Sequence, residues 1–342
     1  MLLDSNEWLA SNLLRSPSGA ALLYQLERLS FQLLLPEVVE LEVQAQVVRS
    51  LTESAGAIRS ASRSIQGLIG SVDEFEYPGA DKITGCVRDR FARLEERLRR
   101  APLTADATRR AVGRAIARQP PCRSGEQLRD ALLWEAAMEA VGPGASIVFV
   151  TGDGAFFESN ERAQLARALE DDAKARGIGV TPYRRVQAFL ASVSPSRPID
   201  PELEKAVVES VRKGFESGAF GPRFTPADAT EQTVEAFVVA SPENAIGLSF
   251  LINFAVPLGQ LEVDGEAWSG SVVVRGSVYY DYRKRVFANL QPDEIQFTSD
   301  IAGSPRPPGK KIIRVGSLVL GRRQIPQEFR VPLSEAGRAP RD

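Results

Sequence analysis

Few segments leave this chain less choice than Ile147-Val148-Phe149-Val150-Thr151. Four apolar residues in a row are the pattern of a strand buried on both faces, as in a parallel sheet. Shorter apolar runs precede it: Met1-Leu2-Leu3, closed by Asp4, and Leu33-Leu34-Leu35, after which Pro36 suits the first turn of a helix. Helical segments are expected through Arg28, then a long helix with apolar positions at helical spacing from about Leu41 to Ser64. Further helices follow from Asp81 to Arg118, broken near Ala101-Pro102 and capped by Thr104 or Asp106. An amphipathic helix is expected over Glu158–Arg176, ended by Gly177, then a weak strand at Gly179-Val180-Thr181 and a short helix over Tyr183–Ser192. Alternating strands and helices of this kind predict an α/β domain around a parallel sheet.

The register changes near residue 192. Residues 192–200 are rich in Ser and Pro and read as a linker. A helix near Pro201–Glu216 comes next. Five stretches with β-branched and aromatic residues then follow: Val234–Ala240, Ala245–Val256, Ser271–Tyr282, Glu294–Thr298 and Lys311–Leu320. Residues 201–334 therefore predict a β-rich, mostly antiparallel (α+β) accessory domain, and 335–342 a disordered tail.

At 342 residues the length suits two domains, each with an ordinary core. No stretch approaches the ~20 apolar residues that span a bilayer, and the N-terminus lacks the basic and apolar regions of a signal peptide. Cys86 and Cys122 have no metal-site spacing, and two thiols in so long a chain point to a reducing cytosol. The expectation is a cytoplasmic protein with no membrane partner.

There is no histidine. A Ser-His-Asp triad and a His-ligated zinc are both excluded. What the first half does contain is acids at the polar ends of its apolar runs: Asp4 and Asp153 after strands, Glu42 on the helix that follows Pro36, and Asp130 at the start of a helix approached through Gly125. In an open parallel sheet, loops at the carboxyl ends of the strands form one crevice. Carboxylates gathered there without imidazole suit a hard divalent cation such as Mg²⁺ or Mn²⁺.

The spacing of these residues resembles the PIN-domain family of metal-dependent nucleases over about residues 1–190. Asp4-Ser5-Asn6 is similar to the family's first strand end. Pro36-Glu37-Val38-Val39-Glu40-Leu41-Glu42 matches its Pro-x-x-Val-x-x-Glu signal, with spacing favouring Glu42 over Glu40. Gly125 through Trp134 resembles its Gly-containing turn and Asp-Ala-x-x-Trp-like helix, and Thr151-Gly152-Asp153-Gly154-Ala155-Phe156 its Thr-x-Asp-x-x-Phe. Many family members carry a further Asp where this chain has Ala155, and residues from about 50 to 123 exceed the corresponding segment of small PIN toxins. The resemblance implies a three-layer α/β/α domain (residues 1–191) with a long helical insertion, about 50–123. It also implies a nuclease in which Asp4, Glu42, Asp130 and Asp153 bind Mg²⁺ or Mn²⁺. RNA is the expected substrate and endonucleolytic cleavage the expected reaction. The alternative is a non-catalytic protein, binding nucleic acid or protein, on a degenerate PIN-like fold. A second copy or a regulatory protein are further candidate partners.

Ser5, Asn6 and Thr151 are candidate substrate contacts beside the acids. Between Asp81 and Arg123 the chain carries 12 Lys or Arg against 5 Asp or Glu, although its net charge is −2. Arginine suits phosphate through its planar fork, so Arg109, Arg110 and Arg114 are candidates to guide a nucleic-acid backbone. Tyr279, Tyr280 and Tyr282 beside Arg283, Lys284 and Arg285 read as an ordinary strand leading into a basic turn rather than a stacking surface.

Overall fold

The computed structural model describes residues 1–70, 78–123, 127–159, 163–194, 199–220, 223–239, 245–263, 266–299, 311–313 and 329–330. The chain divides into two compact units, Met1–Leu9 with Leu26–Phe189, and Ala10–Gln25 with Leu190–Asp342. The expected Gly125 turn, the 335–342 tail and residues 195–198 of the linker lie outside the described residues.

The first unit is built on β1 (Leu2–Leu3), α1 (Ser5–Ala10), α2 (Pro17–Arg28, only its end), β2 (Leu33–Pro36), α3 (Glu37–Ile69), α4 (Ala80–Ala92), β3 (Leu98–Ala101), α5 (Ala105–Ile116), α6 (Leu128–Val141), β4 (Ser146–Val150), α7 (Arg167–Ala175), β5 (Gly179–Tyr183) and α8 (Val186–Val193). Its five strands order β3-β2-β1-β4-β5, and every pair is parallel. Helices flank this sheet, so the expected α/β/α arrangement is present. The two residues of β1 are central and fully buried, with Leu2 opposite both Leu34 and Phe149 and Leu3 opposite Val150. Strand order runs outward in opposite directions from β1 and β4. The switch point of the sheet therefore lies between those two strands, where a crevice opens at their carboxyl ends.

Local chemistry explains the elements that enter this crevice. Pro36 stands at the N-cap of α3 with φ −62° and ψ 140°, where its missing N–H deprives the helix of nothing. Val39, Val43 and Val47 recur every four residues and are buried. Thr104 caps α5, its hydroxyl accepting the Ala107 N–H at 3.0 Å. Around the sheet, Trp8 meets Phe91 edge to face at 5.3 Å between centroids, and Phe149 meets Phe156 at 4.9 Å.

Two elements differ from expectation. Leu98-Arg99-Arg100-Ala101, expected within a helical stretch, is the edge strand β3. Its arginines are exposed, as charge on a sheet edge often is, and that composition masks the strand. The helix expected from Glu158 begins at Arg167. Before it, Phe157 bridges Leu165, and the Glu158 and Ala166 N–H groups bond Gln164 and Phe156 carbonyls. Those donors are committed to a hairpin-like return and are not free to start a helix.

The second unit comprises α9 (Pro201–Glu216), β6 (Ala229–Val238), β7 (Ala245–Val263), β8 (Glu266–Asp281), β9 (Val286–Ser299), β10 (Lys311–Ile313) and β11 (Phe329–Arg330). The sheet is antiparallel, ordered β10-β9-β8-β7-β6 with β11 also on β9. Leu203, Val207, Val211 and Phe215 on α9 share a core with Leu248, Phe250, Ile252, Phe254 and Val256 on β7. One set has helical spacing and the other the period of two of a strand. Residues Ala10–Gln25 join this unit although the sequence places them in the N-terminal half: Gln291 Nε2 donates to the Ala10 carbonyl at 3.2 Å, and Tyr279 Oη to that of Ser16 at 3.5 Å. Among the described residues no helix is long and apolar enough to cross a membrane.

Candidate active site

Asp4 leaves β1 at the switch point, and its own N–H still donates to Val150 O at 3.0 Å, prolonging the β1–β4 ladder by one bond. Its carboxylate is buried and fully engaged. Oδ1 accepts from Ser5 Oγ (3.0 Å) and the Asn6 N–H (3.3 Å), and Oδ2 from Thr151 Oγ1 (2.7 Å) and Asn6 Nδ2 (3.4 Å). Part of its work is thus to cap the first turn of α1. Thr151, with no exposed surface, also accepts the Asp153 N–H at 3.0 Å. Asp153 Oδ1 in turn caps the short turn Gly154–Phe156 through the Ala155 N–H at 2.8 Å. Thr151 and Ser5, expected as substrate contacts, are buried behind Asp4 and shape the site from inside. Asn6 is half-exposed at its edge.

Asp130 lies in the first turn of α6. Among the described residues no hydrogen bond reaches its carboxylate. Burial, and then the negative charges of Asp153, Asp4 and Glu42, push its pKa up to about 7, with Arg129 opposing. Asp130 thus lies within electrostatic reach of Asp153, Asp4 and Glu42. Glu40, the competing residue on α3, instead accepts from Arg100 at 3.2 Å.

Glu42 is held. Its Oε1 accepts from Arg129 Nη1 at 2.5 Å and from Gln46 Nε2 at 3.0 Å. Arg129 had no signal in the sequence, because its partner lies 87 residues away. On the other flank Arg184, just past β5, lies 3.5 Å over the Phe157 ring. Burial draws its pKa below the usual arginine value, while the Asp153 charge opposes. Glu7 is a further buried acid near this end of the sheet, its Oε2 accepting the Val186 N–H at 3.1 Å.

The donor chemistry fits a hard divalent cation: the acids supply carboxylate oxygens, and the chain has no histidine. As the side chains stand, no three acidic or cysteine groups among the described residues gather closely enough to hold one ion.

The basic insertion has a different use for its arginines. Arg110 bonds Glu135 at 2.8 Å and also Glu139. Arg114, itself buried, bonds Glu135, Asp172 and the Pro120 carbonyl. Arg176 completes the cluster on Glu135 at 2.9 Å, and Trp134 Nε1 donates to Asp172 at 2.8 Å. A substrate role for Arg110 or Arg114 would first have to break these pairs. Arg109 is exposed and, among the described residues, pairs only with Asp106, one turn earlier.

Residues 1–156 match the family model described as PIN domain, and the C-terminal half has no family match. No curated protein and no solved structure matches the chain. A PIN domain is a nuclease fold, and such domains typically depend on a divalent metal.

Proposed function

We propose that this chain, with its PIN-like domain, is a metal-dependent nuclease that hydrolyses phosphodiester bonds, acting as an endoribonuclease. The observation that carries the reading is Asp130. A half-buried carboxylate that accepts no hydrogen bond from the described residues, beside three other acids, is unfavourable unless a proton or a cation satisfies it. Mg²⁺ or Mn²⁺ would be held by Asp4, Glu42, Asp130 and Asp153. A divalent cation bound there would offset charge building on the phosphodiester and make a water a better nucleophile at neutral pH.

The chain's own residues supply the rest. Ser5, Asn6 and Thr151 fix the orientation of Asp4, so that its carboxylate need not reorganise. Asp130 would hold a divalent cation through its ionised carboxylate. Asp153, tied to Asp4 through Thr151, lies across the switch point. Among the exposed cations, Arg109 is a residue from which a phosphate contact would come.

The test is cleavage of labelled single-stranded RNA with Mn²⁺ or Mg²⁺, beside an EDTA control and the Asp4→Asn and Asp130→Asn variants. Metal-dependent cleavage that either variant loses, with the fold intact by circular dichroism, supports the reading. Cleavage retained in a variant sinks the site assignment. No cleavage in the wild type transfers weight to a binding protein on this fold, a reading that Ala155 at the family's additional acidic position favours.

A further inference from the structure

Arg129 immediately precedes Asp130, and its side chain is 69% exposed, yet it reaches Glu42, which is only 18% exposed. Gln46 donates to the same Glu42 oxygen. The carboxylate that α3 brings to the cluster is therefore already neutralised by a cation, and it is held by the one oxygen that both donors share. A guanidinium stays protonated at any working pH, so the pair cannot be dissolved by titration of Arg129. A competing cation for Glu42, or another anion for Arg129, would part them.

We infer that Arg129 is an internal counter-ion that occupies Glu42 when no divalent cation is bound, and that it releases Glu42 on metal entry and takes a substrate phosphate instead. This rests on the nuclease reading. Two features carry it. The pair joins a residue next to one proposed ligand to another proposed ligand. An exposed arginine released beside a metal-bound phosphodiester finds in that phosphate an anion whose geometry its planar fork matches. Arg184 is different: it lies against Phe157 and bonds the Ser159 carbonyl, so it is held in place.

The experiment is a Mn²⁺ titration read by the electron paramagnetic resonance of free Mn²⁺, with steady-state cleavage of single-stranded RNA, on wild type, Arg129→Gln and Arg129→Lys. Arg129→Gln is expected to bind Mn²⁺ about fivefold tighter, equivalent to ~1 kcal/mol and at the upper end for a partly exposed ion pair. Its KM for RNA is expected to rise about tenfold with kcat little changed, and Arg129→Lys to restore most of the wild-type Mn²⁺ affinity. A wild type that binds Mn²⁺ alongside an Arg129→Gln variant with equal or weaker affinity overturns the counter-ion role. Tighter Mn²⁺ binding with an unchanged KM overturns the phosphate role. A wild type that binds no Mn²⁺ overturns the nuclease reading and this inference with it.

Discussion

Thr151 donates its hydroxyl hydrogen to Asp4 at 2.7 Å, and the same oxygen accepts the Asp153 N–H at 3.0 Å. One buried hydroxyl at the end of β4 therefore orients an acid from β1 and the backbone of another. Thr151→Val keeps the shape and removes both bonds, leaving a buried carboxylate short of a donor. The expected cost is about 1–3 kcal/mol of stability, read as a lower urea midpoint, with weakened Mn²⁺ binding. Thr151→Ser keeps the hydroxyl and should stay near wild type in both measurements.

Asp130 links stability to pH with a definite sign. Its folded-state pKa, raised to about 7, lies above the ordinary aspartate value. Between the two, the folded protein binds a proton that the unfolded chain does not, so stability falls as pH rises through that window and stays lower above it. In EDTA, Asp130→Asn should therefore raise Tm by about 3 °C at pH 8 and by little at pH 4. A difference that does not grow with pH would show that Asp130 is not held in this way.

Glu135 is 1% exposed and bonds three arginines. Burial pushes its pKa up, but hydrogen bonds from Arg114, Arg110 and Arg176 outweigh that and hold it below the usual glutamate range. A depressed carboxylate pKa contributes stability above the unfolded value of ~4.3, lost as pH falls through the folded one. Glu135→Gln removes the charge and strands the guanidinium groups, at an expected cost of about 3–5 kcal/mol. Denaturant melts at pH 7 would measure it, and the gap to wild type should narrow in acid.

The arginines of the insertion separate by role. Arg114→Ala empties a buried position bonded to Glu135 and Asp172 and is expected to lose ~3 kcal/mol. Arg109→Glu alters an exposed side chain with one short-range pair, so stability should change by less than about 0.5 kcal/mol. Any loss of RNA affinity in Arg109→Glu then reports on binding alone, and its salt dependence should fall with it. Unchanged affinity would leave Arg109 a solvated residue.

Much of the architecture was legible along the chain because burial leaves a local trace. Leu2-Leu3, Leu33–Leu35 and Ile147–Val150 are apolar without interruption, since each strand is covered on both faces. The helix expected near Pro201–Glu216 is α9, and at its start the Asp200 side chain accepts the Glu202 N–H at 2.9 Å. Asp4, Asp130 and Asp153 stand out because an acid at the end of an apolar run interrupts its pattern. β3 did not stand out: an edge strand bears exposed arginines and so lacks the apolar run that identified the others.

Hydrophobic periodicity, cap residues and turn residues are properties of neighbours in the chain, and from them followed the alternating α/β half, the β-rich half and the acidic strand ends. The choice of ionic partner is not such a property. Nothing local tells Arg114 to serve Glu135, or Arg129 to reach Glu42 across 87 positions. Nor does anything local detach Ala10–Gln25 to join the C-terminal unit. A charge has no period, and its effect depends on distance and dielectric, so only the packed structure decides which carboxylates are neutralised by an ionic partner inside the protein.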